Sequence, residues 1–359
     1  MQKENLSRKL FIPILLPSLL TFGLSFDRYL FPKSIGVNTY LVIFIGALIT
    51  IAGLLAIKSL ADNYPGWSLN SLGNKFLGPV NKAGVLLWFA IIFAFTALLT
   101  DRVIDEAGTI ILFRTPELVS RFAFLLIAGY MALLGEEALG RLSSVLMVMI
   151  PLFLALLFFS FRQVNPLNIH PVSIYRDLGY LRKWDLWLLT FSPVWILSVS
   201  TGSKSLRDGL KSIILTVIFG ALILGAASLA AAGDFGAKGI SRYEWPVMSL
   251  MNITGLAPTY FFQNFITTVY FLILLSFSLV TAAGFLIVAA KGLTEFLGFE
   301  NSRSKLMLFF ITIALFIFMA PVTHITYKQT ANLVLKAGGF YTFGYILLVW
   351  LISLFHRKE

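Results

Sequence analysis

Residues 187–200 read WLLTFSPVWILSVS, an apolar run with Thr190, Ser192 and Pro193 at its middle. A proline inside a helix removes a backbone donor and clashes with the preceding turn, at a cost of about 3 kcal/mol or more. The run predicts a membrane-spanning helix, and the proline predicts that this helix is interrupted halfway. Lipid has no partner for the backbone groups such an interruption frees. Broken helices therefore persist only inside a bundle or beside a cavity.

The rest of the chain supplies the bundle. Of 359 residues, 58% are hydrophobic and only 13% are charged, with a mean hydropathy of +0.86. Soluble domains carry about 25% charged residues. A hydrocarbon core of about 30 Å takes about 20 residues of helix to cross. The apolar runs are continuous rather than alternating, which favours helices over a barrel. Ten spans are predicted, at 10–31, 37–57, 83–111, 118–134, 143–161, 183–201, 212–233, 262–290, 306–321 and 338–355. The third and eighth exceed one crossing and should tilt or project. The connections at 162–182 and 234–260 are too short to fold alone, so residues 1–359 read as a single transmembrane domain.

The net charge of +11 does not call for nucleic acid. The basic residues sit between spans, as in membrane loops, and lean towards the side of the amino terminus, which places both termini in the cytoplasm. Cysteine is absent, and His170, His324 and His356 are scattered. No metal or cofactor is expected. Neither a nucleophile–base pair nor a phosphate-binding loop is present, so no enzymatic activity is expected.

The first span repeats the opening feature. Residues 11–32 read FIPILLPSLLTFGLSFDRYLFP, and Thr21-Phe22-Gly23-Leu24-Ser25 is their least helix-friendly part. At about 1.5 Å per residue, Thr21 lies about 16 Å into its span and Ser192-Pro193 about 14 Å into theirs. Ten spans divide into five and five, with an interruption in the first member of each set. Interruptions at matching places in two halves point to a transporter-type binding site. Half-helix amino ends would present N–H groups and a positive dipole end to a carboxylate.

Several stretches then carry a resemblance. Leu72-Gly73-Asn74-Lys75-Phe76-Leu77-Gly78, Arg114-Thr115-Pro116, Gly135-Glu136-Glu137-Ala138-Leu139-Gly140-Arg141, Asn165-Pro166-Leu167-Asn168-Ile169-His170-Pro171 and Tyr243-Glu244-Trp245-Pro246 follow one another along nearly the whole chain. In order and spacing they resemble the B-subunit family of spore germinant receptors, a branch of the amino acid–polyamine–organocation transporter superfamily. The chain departs from that pattern at Val194-Trp195, where many members carry Gly-Glu, and at Gln263-Asn264, where many carry Glu and Arg. It reads as a divergent member. The resemblance implies a 5+5 inverted repeat of the leucine-transporter type, with repeats over about 8–161 and 181–356 joined by the outer loop 162–180. It also implies a place in the spore inner membrane, A-type and C-type partner subunits, and a small nutrient, an amino acid, as ligand. A permease working by alternating access is the alternative that one site geometry also serves.

The candidate ligand-binding residues are Thr21, Gly23, Leu24, Ser25 and Asp27 on the first span, Phe191, Ser192, Pro193 and Trp195 on the sixth, and Ser278 on the eighth. Asp27 and Arg28 could meet a ligand's ammonium and carboxylate, since a charge at membrane depth is a functional candidate by default. Ser276 and Thr281 accompany Ser278, and Trp88 and Phe95 are aromatic candidates on the third span. Asp101, Arg102, Asp105 and Glu106 close the third span and are expected at the outer surface as a solvated helix end. Glu137 and Arg141, four residues apart, are expected to form a structural ion pair at an inner turn.

Overall fold

The structure is a computed structural model that describes residues 8–26, 39–64, 69–112, 114–169, 190–200, 203–240, 242–243, 246–253, 260–299, 303–319 and 324–355. The described elements are helical. In chain order they are α1 Arg8–Ser25, α2 Thr39–Asn63, α3 Leu69–Leu77, α4 Val80–Ile110, α5 Glu117–Leu133, α6 Glu136–Leu146, α7 Met149–Ser160 and α8 Pro166–Ile169. After them come α9 Ser192–Ser200, α10 Ser203–Ile240, α11 Pro246–Ile253, α12 Tyr260–Phe296, α13 Ser304–Met319 and α14 His324–Phe355. Among the described residues, each predicted span coincides with helix. The fifth is divided between α6 and α7 by a turn at Met147 and Val148. Among the described residues, six stretches are long and apolar enough to cross a membrane: Thr39–Asn63, Val80–Ile110, Glu136–Ser160, Gly209–Gly236, Asn264–Phe296 and Leu333–Phe355.

The centre of the bundle is α1. Every side chain from Pro13 to Phe26 is buried, so this helix is wrapped by protein rather than lipid. It packs against α10, α12, α9 and α6. A helix apolar all round belongs in a core, and its uniformly apolar sequence fits that place. Among the described residues, the outer shell is α5, α7 and α13, whose Phe122, Leu126, Phe158, Phe309, Phe310 and Ile317 face outward.

Small residues set the closest approaches, as is usual between membrane helices. A Cβ on Gly23 would lie 2.4 Å from Leu224, and one on Gly220 would lie 2.7 Å from Leu19. The constant offset between these two contacts means that α1 and α10 run parallel. The first helices of the two halves meet differently. Leu197 of α9 and Ile14 of α1 both lie within 4 Å of the Cβ that Gly284 lacks, so α1, α9 and α12 converge there.

Two motifs behind the resemblance acquire physical reasons. The Asn81 side chain accepts from Tyr345 Oη at 2.7 Å and donates to Asn74 at 2.9 Å. The hydroxyl of Tyr341 donates to the Gly84 carbonyl at 2.7 Å, and the two tyrosine rings stack 6.0 Å apart. Gly73 leaves room for this lock, because a Cβ there would lie 2.4 Å from Asn81 Oδ1. Tyr345→Phe leaves the buried Asn81 acceptor short of a donor and is expected to cost about 1–3 kcal/mol, read as a drop in thermal stability of the detergent-solubilised chain. The second motif is a staple. Asn165 N–H and Asn168 Nδ2 donate to the Gly233 carbonyl at 3.1 and 2.9 Å, and Asn168 also reaches the Asp234 carbonyl at 3.2 Å. Beyond it, Gly236 (φ 69°) kinks α10. Glu137 and Arg141 form the expected exposed ion pair.

Candidate functional site

The site is built where the two interrupted spans stop and start. α1 does not break at Thr21. It runs through Thr21-Phe22-Gly23-Leu24 and ends at Ser25, with the Phe26 N–H still bonded to the Phe22 carbonyl at 3.2 Å. Neither Pro13 nor Pro17, both inside α1, ends it. Asp27 and Arg28 lie outside the described residues, as do residues 183–189 of the sixth span. On that span a turn at Phe191 precedes α9, and Pro193 is its second residue. Thr190 is helical, so the sixth span is interrupted at Phe191 and resumes as α9, with Pro193 just inside the resumed helix. In the first turn its missing N–H costs nothing, since that donor would have no intrahelical partner.

The amino end of α9 is a poorer anion site than its sequence promises. Pro193 has no N–H, and the Val194 N–H is already bonded to the Phe191 carbonyl at 3.0 Å.

The hydroxyls divide sharply. A serine or threonine inside a helix usually bonds back to the carbonyl four residues earlier. Ser278 does so at 2.7 Å, and Ser276 and Thr281 do so at 2.8 Å. Ser18 on α1 does the same. By contrast, the hydroxyls of Thr21 and Ser25 are fully enclosed and have no hydrogen-bond partner. They lie four residues apart and so share one face of α1.

The remaining candidates are core residues. Gly23 faces Leu224, and Leu24, Phe191 and Ser192 are buried. Trp195 is also enclosed, with its indole N–H unpartnered. It packs edge-on to Phe343, centroids 5.4 Å apart, and its six-membered ring rests on Gly53 of α2. Phe22 meets Phe26, Phe95 and Phe285 with centroids 5.1–5.6 Å apart. This phenyl cluster fills the interior between α1, α4 and α12. Phe95 was a candidate in the sequence; Phe22 and Phe285 were not, because a phenylalanine among apolar neighbours gives no contrast.

The charged end of the third span overturns the sequence reading. Asp101, Arg102 and Glu106 are only 3%, 2% and 1% exposed. Arg102 Nε donates to the carbonyl of Ser25, the last residue of α1, at 2.9 Å. The Asp101 carboxylate pairs with Arg121 of α5, whose Nη1 donates to the carbonyl of Met319, the last residue of α13, at 3.3 Å. Two guanidiniums thus cap two helix carboxyl ends, where cations and donors are favoured. Residues 20 to 198 positions apart make these contacts, and no local spacing announces them.

Among solved structures, MhsT in complex with L-phenylalanine aligns with a TM-score of 0.65 and 16% identity, over 98% of this chain and 89% of that one. The likeness supports an all-α membrane fold of the leucine-transporter type. No curated protein matches the chain in sequence. The family described as spore germination protein matches residues 11–326. This multi-pass integral membrane chain belongs to the spore germination protein family.

Proposed function

We propose that the chain is the membrane subunit of a spore germinant receptor that binds a small nutrient, an amino acid, between the end of α1 and the start of α9. It passes occupancy to A-type and C-type partner subunits in the spore inner membrane, with both termini cytoplasmic. The observation that carries this reading is the pair of enclosed, unpartnered hydroxyls of Thr21 and Ser25. Leaving a buried polar group unsatisfied costs about 1–3 kcal/mol, and a bound polar ligand would supply the missing partner. Family membership supports the germination role, and the L-phenylalanine held by MhsT supports the ligand class. Ligand binding shifts two arrangements of the bundle only by its differential affinity for them.

The test is titration of the purified chain in nanodiscs with amino acids. Thr21→Val and Ser25→Ala remove no hydrogen bond within the protein, so thermal stability should stay at the parent value. Each lost bond to a charged ligand group is worth about 1.5–3 kcal/mol, or about 10- to 100-fold in affinity. Variants that bind like the parent would sink the site. Accumulation of labelled amino acid by the isolated chain in proteoliposomes would instead identify a permease.

A further inference from the structure

Thr96, Thr100, Ser228 and Thr281 direct their hydroxyls to the carbonyl four residues earlier, at 2.8 Å. Thr50 of α2 does not. It is 1% exposed, and its hydroxyl has no hydrogen-bond partner. Gly53 lies three residues on and so shares its helix face, and Gly53 is the seat of the Trp195 ring. The Trp195 indole N–H is likewise enclosed and unpartnered. Two polar groups thus come to the corner where α2, α9 and Phe343 of α14 meet. Resting on the reading above, we infer that Thr50 and Trp195 form an uncharged second half of the ligand site, which selects an amino acid with a neutral, hydrogen-bonding side chain.

The corner lies within reach of the α1 hydroxyls. Leu197 and Ile14 meet at Gly284. Thr21 is about 10 Å further along α1 than Ile14, and Trp195 is about 3 Å back along α9 from Leu197. The first and sixth spans cross in opposite directions, so Thr21 and Trp195 stand about 7 Å apart along the bundle. One amino acid bridges that separation, with its main-chain end at Thr21 and Ser25 and its side chain at Thr50 and Trp195. The corner itself carries no charge. α9 has no charged residue, α2 has none before Lys58, and α14 has none after Lys336, both lysines being exposed. Arg102 stands at the Ser25 end. An isolated charge in such an enclosure is strongly disfavoured, whereas a neutral group that is hydrogen-bonded is not. The indole N–H only donates, and a threonine hydroxyl donates and accepts. The pair fits a neutral acceptor, and a carboxamide, with carbonyl and N–H side by side, satisfies both groups.

The experiment titrates the parent chain in nanodiscs with the twenty protein amino acids and compares near-isosteric sets. These are threonine with valine, asparagine with aspartate and leucine, and glutamine with glutamate and methionine. At least one neutral polar member should bind. Its apolar or charged counterparts should bind at least about 10-fold more weakly, since a site built to pair a polar group rejects the analogue without it. Thr50→Val and Trp195→Phe remove no hydrogen bond within the protein, so each should melt with the parent while losing that preference. Thr50→Ser, which keeps the hydroxyl, should retain it. If Trp195→Phe does not fold, the Thr50 variants and the ligand sets decide. Binding confined to apolar or charged amino acids, apolar members that bind as tightly as their polar isosteres, or a Thr50→Val chain with the parent's preference would overturn this inference and leave an amino acid site standing. A parent that binds no amino acid defeats the reading it rests on as well.

Discussion

Replacing Arg121 with alanine is expected to cost the folded bundle about 3–5 kcal/mol, the range for removing one partner of a buried ion pair. The side chains of Arg121 and Asp101 are 6% and 4% exposed. Without the guanidinium, Asp101 stays enclosed but loses its Arg121 partner, and the Met319 carbonyl loses its cap. The Glu117 arm matters less. That carboxylate is 62% exposed, and water screens and solvates it. The measurement is the thermal midpoint of the detergent-solubilised chain followed by size exclusion. Leucine at both Asp101 and Arg121 should recover most of the loss, since apolar replacements of a buried pair are often neutral or better. A single alanine variant within about 1 kcal/mol of the parent would contradict the burial of this pair.

The second large effect is expected at Gly53. A Cβ there would lie 2.2 Å from Trp195 Cη2, 2.7 Å from Cζ3 and 3.2 Å from Phe343. The indole is rigid and already wedged against Phe343, so it has to move as a whole. Gly53→Ala should therefore cost about 1–3 kcal/mol, as overpacked cores do, and should disturb nutrient binding through Trp195. Gly23→Ala is the control. Its added Cβ meets only the flexible side chain of Leu224, the terminal carbons at 2.4 Å and Cγ at 3.0 Å, which a rotamer change can withdraw. Trp195→Leu combined with Gly53→Ala should restore stability without restoring ligand binding. Equal melting of the Gly53 and Gly23 variants would remove the distinction.

The spans were legible because a long apolar run allows few alternatives in lipid. Element type is set by that pattern, whereas ends are set by neighbours. Thr21-Phe22-Gly23-Leu24-Ser25 has weak helix preference, yet α1 continues to Ser25 because α10 and α12 enclose it and Gly23 gives Leu224 its seat. Pro193 marked the discontinuity, which falls two residues earlier at Phe191, since proline suits the first turn of the helix that resumes. Among the site residues, Thr21 and Ser25 were readable as polar groups at depth. Ser278 was equally conspicuous, but its hydroxyl is spent on Leu274. Arg102 and Asp101 looked like a wet helix end because their partners, Ser25 and Arg121, come from other helices.

The asparagine staple at Asn165 and Asn168 has a mechanical consequence. It fastens the exit of α7, the final span of the first half, to the backbone near the carboxyl end of α10 in the second. Breaking it would free two carbonyls, the Asn165 N–H and the Asn168 side-chain amide at once, which ties those two elements into one lever. A change of shape that moved α10 against α7 would pivot about that shared joint, with its largest displacement at the ends away from it.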